Sequence, residues 1–183
     1  MSNYFYDTEF LEDGKTIDLI SIAIVHYESG KHFYAVNRDA PWNRIKKHPW
    51  LMSNVIPSLP VEFKNGYVYF DHSTNNAHIL EKDRIRDSLM MFVDDTQENG
   101  VDNKFWAWYA DYDHVVLSQL FGTMMDLPAN FPMFTMDLKQ WATMLGNPKV
   151  PEQDENEEHN ALMDAQHNIK IYEFLRDYDA NLA

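Results

Sequence analysis

The chain has 183 residues, of which 45% are hydrophobic and 14% aromatic, and its formal net charge is −14. This composition excludes a disordered chain, and the absence of cysteine excludes disulfides, thiolate catalysis and cysteine zinc sites. The negative charge disfavours non-specific binding to duplex DNA, although a bound divalent cation can create a local phosphate site on an acidic protein.

The length and the patterning predict one domain over residues 1–183. No apolar run approaches the roughly 20 residues that span a bilayer, and the first residues look like a core strand rather than an export signal. We therefore expect a cytoplasmic protein that makes no membrane contact.

The first predicted element is a strand over residues 3–10 that carries two carboxylates one residue apart. Because side chains alternate along a strand, Asp7 and Glu9 project from the same face. Like charges side by side on a core strand must take up a proton or bind a cation, so this pair suggests a divalent metal site. Read in isolation, the same pair is more commonly a solvated strand end.

Residues 16–27 and 32–36 are rich in β-branched and aromatic side chains, and a glycine-containing turn precedes each of them. They predict two more strands, which form an antiparallel meander with the first.

The next segment interleaves Trp42 and Trp50 with basic side chains, a pattern that suits the backbone and bases of single-stranded nucleic acid. A helix with both tryptophans turned inward is the alternative. Beyond it, the pattern predicts a short strand over 67–70, a helix over 75–93 and a surface loop over 94–103.

The second half of the chain begins with an apolar run over 104–109 that predicts a buried strand, followed by a helix over 110–120. Asp111 and Asp113 lie at this strand-to-helix junction, where α/β sheets commonly bind ligands; Asp111 is alternatively the helix N-cap.

A short strand over 133–136, a helix over 137–145, an acidic loop over 151–158 and a closing helix capped by Asn160 complete the predicted elements. Together the elements predict an α/β layer fold.

Three segments in this order resemble the motifs of the DEDDh exonucleases. Asp7 and Glu9 match the first motif, residues 112–117 match the aromatic-Asp-x-x-apolar-Leu pattern of the second, and residues 159–165 match the His-x4-Asp-Ala pattern of the third. The opening residues look most similar to a small subgroup of bacterial and phage 3′-5′ exoribonucleases, the exoribonuclease type AS. Two positions depart from the common pattern: Ser21 stands where many relatives have an acid, and Tyr109 stands where many have Asn.

The resemblance implies a ribonuclease-H-like three-layer fold, in which a five-stranded mixed sheet with its first three strands antiparallel is flanked by helices. Residues 38–103 would be a long insert-like connection. The implied activity is metal-dependent 3′-5′ exoribonuclease action on single-stranded RNA ends or 3′ overhangs, releasing nucleoside 5′-monophosphates. A 3′-5′ DNA exonuclease and a catalytically silent nucleic-acid-binding module are the alternatives, and a homodimer is one implied assembly.

The resemblance also assigns roles to residues. Asp7 would bridge two Mg²⁺ or Mn²⁺ ions, Glu9 and Asp164 would hold the ion that activates water, Asp113 would support the second ion, and His159 would be the general base. Phe10 and Leu11 would contact the terminal bases, with core packing as the alternative role.

The spacing itself separates the histidine from the acid that follows it. Five residues rotate by about 500° on a helix, so His159 and Asp164 cannot share a helical face, and His159 must precede the helix. A rival metal pair is Asp164 with His167, three residues apart on one face.

Overall fold

The computed structural model describes residues 2–73, 77–98 and 100–182. Its strands are β1 (Ser2–Glu12), β2 (Ile17–His26), β3 (His32–Asn37), β4 (Val61–Lys64), β5 (Tyr67–Phe70), β6 (His78–Leu80), β7 (Asn103–Ala107) and β8 (Met136–Asp137). Its α-helices are α1 (Trp42–Ile45), α2 (Pro49–Asn54), α3 (Lys82–Thr96), α4 (Asp111–Gln119), α5 (Leu138–Met144) and α6 (Ala161–Ala180), and 3₁₀ turns cover Ile56–Ser58 and Met124–Asp126. Within these ranges no helix combines the length and the apolar character needed to cross a bilayer.

The main sheet has the strand order β6-β3-β2-β1-β7-β8. β2 is antiparallel to β1 and β3, whereas β6, β7 and β8 each lie parallel to a neighbouring strand. The predicted mixed sheet with three antiparallel strands at its start is thereby confirmed. The predicted count of five strands is wrong, because this sheet has six strands in the described part of the chain.

The sixth strand is β6, which pairs with β3 through three residues. Ile79 of this strand also fits the helical spacing of the residues that follow, so the sequence pattern merged the strand with the helix. In the structure, α3 begins at Lys82 after the N-cap residue Glu81. The predicted helix start, Asn75, lies outside the described residues.

Two short elements also differ from the prediction. β4 was not predicted; it pairs with β5 as a separate two-stranded sheet. The strand predicted over 133–136 is Met136–Asp137 in the structure, because only these two residues pair with β7. Asp137 is also the N-cap of α5. Its carboxylate accepts a hydrogen bond from the Gln140 backbone N–H at 2.6 Å.

α3 and α4 cover one face of the sheet. The alternation along β1 turns Tyr4 and Tyr6 toward these helices, where they join the largest side chains of the core. The helix residues that pack against them share full burial: Ile85, Leu89, Val93, Val116 and Leu117. Thr8 is a polar residue on this face, and Phe10 beyond it packs against the same hydrophobic cluster.

α5, α6 and the segment from α1 to β5 cover the opposite face. Phe5 of β1 packs against Ile171 and Leu175 of α6, and Leu11 packs farther along the same strand against the segment that follows β3. Between Phe5 and Leu11, on the same face, lie Asp7 and Glu9. The two acids are therefore bordered by hydrophobic clusters on both sides along the strand.

The Trp42 and Trp50 side chains have different environments. Trp42 is 7% exposed and packs into the core, as the helical alternative predicts, whereas Trp50 is 49% exposed. Arg44 is held by Asp13 and Asp18 at 2.7 Å each, and the Lys46 ammonium donates to the Gly66 carbonyl oxygen. Part of the basic cluster thus has internal partners.

The packing of α3 gives a testable contrast between two residues of one helix. Leu89 is fully buried and Met91 is 65% exposed. Leu89→Ala should lower the free energy of unfolding by about 2–5 kcal/mol, because it removes methyl groups from the core and leaves a cavity. Met91→Ala should change it by less than about 0.5 kcal/mol. Urea unfolding of both variants measures the contrast, and equal losses would contradict the described packing.

Candidate active site

The candidate site lies where β1 continues beyond its pairing with β7. The parallel register joins Ser2–Phe5 to residues 103–106 and ends there, so the following residues of β1 border a cleft on that side. The cleft has a volume of about 260 Å³. Its lining comes from β1, from the β7–α4 junction and from the start of α6: Asp7, Thr8, Glu9, Phe10, Trp108, Tyr109, Tyr112, Asp113, His159 and Asp164.

Three of the predicted acids converge in this cleft. One ligand atom each of Asp7, Glu9 and Asp164 lies within 4.8 Å of the others. The α6 helix can approach the sheet closely because fully buried Ala161 and Ala165 face the strands. This close approach brings Asp164, in the first turn of α6, to the two acids of β1.

Asn160 fixes the start of α6. Its side-chain oxygen accepts hydrogen bonds from the backbone N–H groups of Leu162 and Met163 at 3.1 and 3.2 Å, which confirms the predicted N-cap. The side-chain amide of Gln153 donates to Asp164 Oδ1 at 2.6 Å. The acidic loop that precedes α6 therefore also orients the Asp164 carboxylate, a role that the sequence did not indicate.

Asp113 reaches the cleft from the first turn of α4 and is held by β1. The Thr8 backbone N–H donates to Asp113 Oδ1 at 2.8 Å, and the Thr8 hydroxyl donates to the same oxygen at 2.6 Å. Asp113 thus satisfies a strand N–H on β1 beyond its pairing with β7. Asp111, the rival N-cap, is exposed and caps nothing through its side chain.

His159 lies in a turn before α6, as the spacing predicts, and lines the same cleft. Its φ angle is +61°, a left-handed conformation that is uncommon for residues other than glycine. Its ring meets the Trp50 ring edge-to-face, with centroids 4.8 Å apart. The sequence motifs did not indicate the contact with Trp50, because the two residues are far apart in the chain.

The electrostatics of the cluster follow from burial and like charge. Burial raises the pKa of Asp7 well above its usual range, and the charges of Asp113, Asp164 and Glu9 add to the effect. Burial, together with the charges of Asp164 and Asp113, raises the pKa of Glu9 to about 8. Burial also raises the pKa values of Asp113 and Asp164 to about 6 each, against hydrogen bonds that lower them. Without a cation, the cluster holds its protons unusually tightly.

The donor set fits a hard divalent cation. Mg²⁺ and Mn²⁺ prefer oxygen ligands, and Asp7, Glu9 and Asp164 offer carboxylate oxygens at mutual distances that one ion can bridge. His167, the rival partner of Asp164, is 7% exposed and its Nε2 lies 3.2 Å from the Pro151 carbonyl oxygen. His167 supports the loop before α6 and lies outside the carboxylate group.

An aromatic pair borders the acids on one side. The rings of Phe10 and Tyr112 are stacked, with centroids 5.7 Å apart and planes within 7°. Phe10 is partly exposed and Tyr112 is 51% exposed. Leu11, predicted together with Phe10 to contact substrate, is only 4% exposed and packs in the core, which is the alternative role. Of Phe10 and Leu11, Phe10 is therefore the one whose side chain is accessible from the cleft.

The two positions that depart from the family pattern also lie at the site. Ser21 pairs with Glu9 across β1 and β2 and is fully buried, so a neutral hydroxyl stands behind Glu9 instead of a further negative charge. Tyr109 has a φ angle of +56°, is 64% exposed and lines the cleft. Such left-handed residues often mark functional turns.

Comparisons with known proteins give similarity over most of the chain. Residues 68–175 match the model of the 3′-5′ exoribonuclease Rv2179c-like domain, and this range contains Asp113, His159 and Asp164. Two curated proteins of Mycobacterium tuberculosis, the 3′-5′ exoribonucleases MT2234.1 and Rv2179c, are each 35% identical to this chain over 177 residues. Those alignments cover 96% of the chain and 94% of each relative.

The raised pKa values predict how the stability of the metal-free protein depends on pH. An acid with a raised pKa binds more protons in the folded state, so its contribution to stability falls as the pH rises from about 4 to about 8. A divalent cation offsets the repulsion between ionised carboxylates. Added Mg²⁺ or Mn²⁺ should therefore raise the melting temperature more at pH 8 than at pH 5, by a few degrees.

Differential scanning calorimetry at both pH values, with and without the cation, measures this effect. Glu9→Gln serves as the matched variant: it should raise the melting temperature of the metal-free protein at pH 8 and reduce the gain from added cation. An equal gain at both pH values would contradict the charge cluster.

Proposed function

Because the chain belongs to the family of the 3′-5′ exoribonuclease Rv2179c-like domain, we propose that it is a 3′-5′ exoribonuclease of the DEDDh type with a ribonuclease-H-like fold. Its proposed substrate is single-stranded RNA or a 3′ overhang, and its proposed products are nucleoside 5′-monophosphates. The observation that carries the proposal is the convergence of Asp7, Glu9 and Asp164 within 4.8 Å, where β1 extends beyond its pairing with β7.

The proposed cofactor is a pair of Mg²⁺ ions, for which Mn²⁺ can substitute. Asp7, Glu9 and Asp164 would hold one ion, and Asp113 would support the other together with Asp7. When bound, such ions supply positive charge at the scissile phosphate and make the attacking water more acidic. The raised pKa values support this role, since buried carboxylates that repel one another gain stability from a bound cation.

His159 is the proposed general base. A ring nitrogen would take a proton from the water as its oxygen bonds to phosphorus, and the bond from phosphorus to the 3′ oxygen of the preceding nucleotide would break. That oxygen would leave as a hydroxyl after it takes a proton from solvent, to which the protonated base would return its own. The products are a 5′-monophosphate and a chain shortened by one nucleotide. The position of His159 in the cleft, five residues before Asp164, supports this role.

Phe10 and Tyr112 are proposed to contact the bases at the 3′ end. Stacking on aromatic rings is tolerant of base identity and suits a single strand. The net charge of −14 argues against a long electrostatic footprint on nucleic acid, so we expect recognition to concentrate at the terminal nucleotides near the cations.

An oligonucleotide assay tests the function directly. Purified protein with Mn²⁺ or Mg²⁺ should shorten 5′-labelled single-stranded RNA stepwise and release 5′-monophosphates, while a blocked 3′ end or a chelator should stop the reaction. DNA of the same sequence is the matched substrate. Faster cleavage of DNA would favour a DNA exonuclease, and binding without cleavage of either strand would favour a silent binding module.

Two aspartates of one helical turn provide an internal control. Asp113→Asn keeps an oxygen that can accept from Thr8 but removes the charge, so it should lower turnover by about 10- to 100-fold. Asp111→Asn should leave turnover near the wild-type value, because Asp111 is exposed and caps nothing. Steady-state rates with labelled RNA measure both variants. The reverse ranking would show that Asp111, and not Asp113, has the proposed role.

A further inference from the structure

The segment between β3 and β4 contacts the turn that carries His159. Trp50 of α2 places its ring edge-to-face on the imidazole, with centroids 4.8 Å apart and planes at 76°. Trp50 is 49% exposed, so packing into the hydrophobic core does not account for the orientation of its ring. Edge-to-face contact between aromatic rings is a favourable arrangement.

Ser58 contacts the backbone of the same turn. Its hydroxyl lies 2.7 Å from the His159 carbonyl oxygen and 2.8 Å from the Val55 carbonyl oxygen, so one proton is shared between the two acceptors. In return, the Asn160 side-chain amide donates to the Ser58 carbonyl oxygen at 3.3 Å. The 3₁₀ turn that ends in Ser58 is thus joined to both residues that lead into α6.

The turn has little support of its own. Residues 154–158, which precede His159, are all exposed, and four of the five are acidic: Asp154, Glu155, Glu157 and Glu158. His159 itself has a φ angle of +61°. A residue persists in this conformation when its surroundings impose it. In the described structure, those surroundings include Trp50, Ser58, the cap of α6 and the Asp164 carboxylate.

The segment that carries Trp50 and Ser58 is anchored by buried side chains. Leu51, Val55, Ile56 and Leu59 surround Trp50 and Ser58 in sequence, and each is at most 7% exposed. They pack in one cluster with Leu11 of β1, two residues after Glu9. One hydrophobic cluster therefore supports both the strand that carries the acids and the platform that contacts His159.

We propose that Trp50 and Ser58 are positioning residues for His159, which hold its imidazole over the carboxylate cluster. This inference rests on the proposed function of His159 as the general base. It also gives a role to part of the 38–103 segment, for which the motifs provided none. Neither residue needs to touch the reacting phosphate.

A double-mutant cycle tests the proposal on labelled RNA. Trp50→Ala and Ser58→Ala should each lower kcat by about 10- to 100-fold, since small displacements of a catalytic group have effects of this size. KM should change little. Trp50→Phe and Ser58→Thr keep a ring and a hydroxyl, so they should retain most of the activity.

The decisive comparison uses a His159→Ala background. His159→Ala alone should lower kcat by about 10²–10⁴-fold, and adding Trp50→Ala or Ser58→Ala to it should cause no further loss. Tyr67→Ala is the matched control, because Tyr67 is also an aromatic residue of the 38–103 segment and is 73% exposed. It should match the wild type throughout.

Hydrogen exchange in the metal-free protein gives a readout that is independent of activity. Backbone amides around residues 155–161 should exchange faster in Trp50→Ala and Ser58→Ala than in the wild type or in Tyr67→Ala. A raised KM with unchanged kcat would instead show that Trp50 contacts substrate, and further loss in the His159→Ala background would show an effect outside His159. Either result, or unchanged exchange, overturns the proposal. Wild-type protein that leaves RNA intact overturns the proposed function itself.

Discussion

The confinement of like charges in the middle of β1 is the constraint on which the rest of the site depends. Asp7, Glu9 and Asp164 approach within 4.8 Å of one another. Burial raises the pKa of each carboxyl, and the charges of neighbouring acids add to this effect at Asp7 and Glu9. Such an arrangement is unfavourable for a fold with no cation. It persists because the hydrophobic clusters on either side along the strand determine where these side chains lie, and a divalent ion would compensate the charge.

Neighbouring side chains lower the free energy that is needed to bury these carboxylates close together. Asp113 accepts two hydrogen bonds from Thr8 and so combines a structural role with its place in the cleft. Gln153 donates to Asp164, and Ser21 puts a neutral hydroxyl behind Glu9. These contacts come from four different parts of the chain. The cleft is therefore a property of the assembled sheet rather than of one motif.

The prediction of a 3′-5′ exonuclease family is confirmed by the similarity over most of the chain, and the prediction of a mixed sheet flanked by helices is confirmed by the structure. The errors concern short elements. β6 was assigned to a helix because three residues carry too little periodicity to show a strand. Leu11 packs in the core against a distant segment, which is the alternative that the sequence left open. The proposed roles of the site residues remain predictions.

The sequence by itself determined the local placement of the candidate residues: the alternation along β1 put Asp7 and Glu9 on one face, and the spacing before α6 separated His159 from Asp164. These features depend on local backbone geometry, which neighbouring residues encode. The tertiary structure alone decided that Thr8 holds Asp113, that Gln153 holds Asp164, and that Trp50 and Ser58 meet His159. Those contacts join residues far apart in the chain, so they exist only after the hydrophobic clusters have brought the elements together.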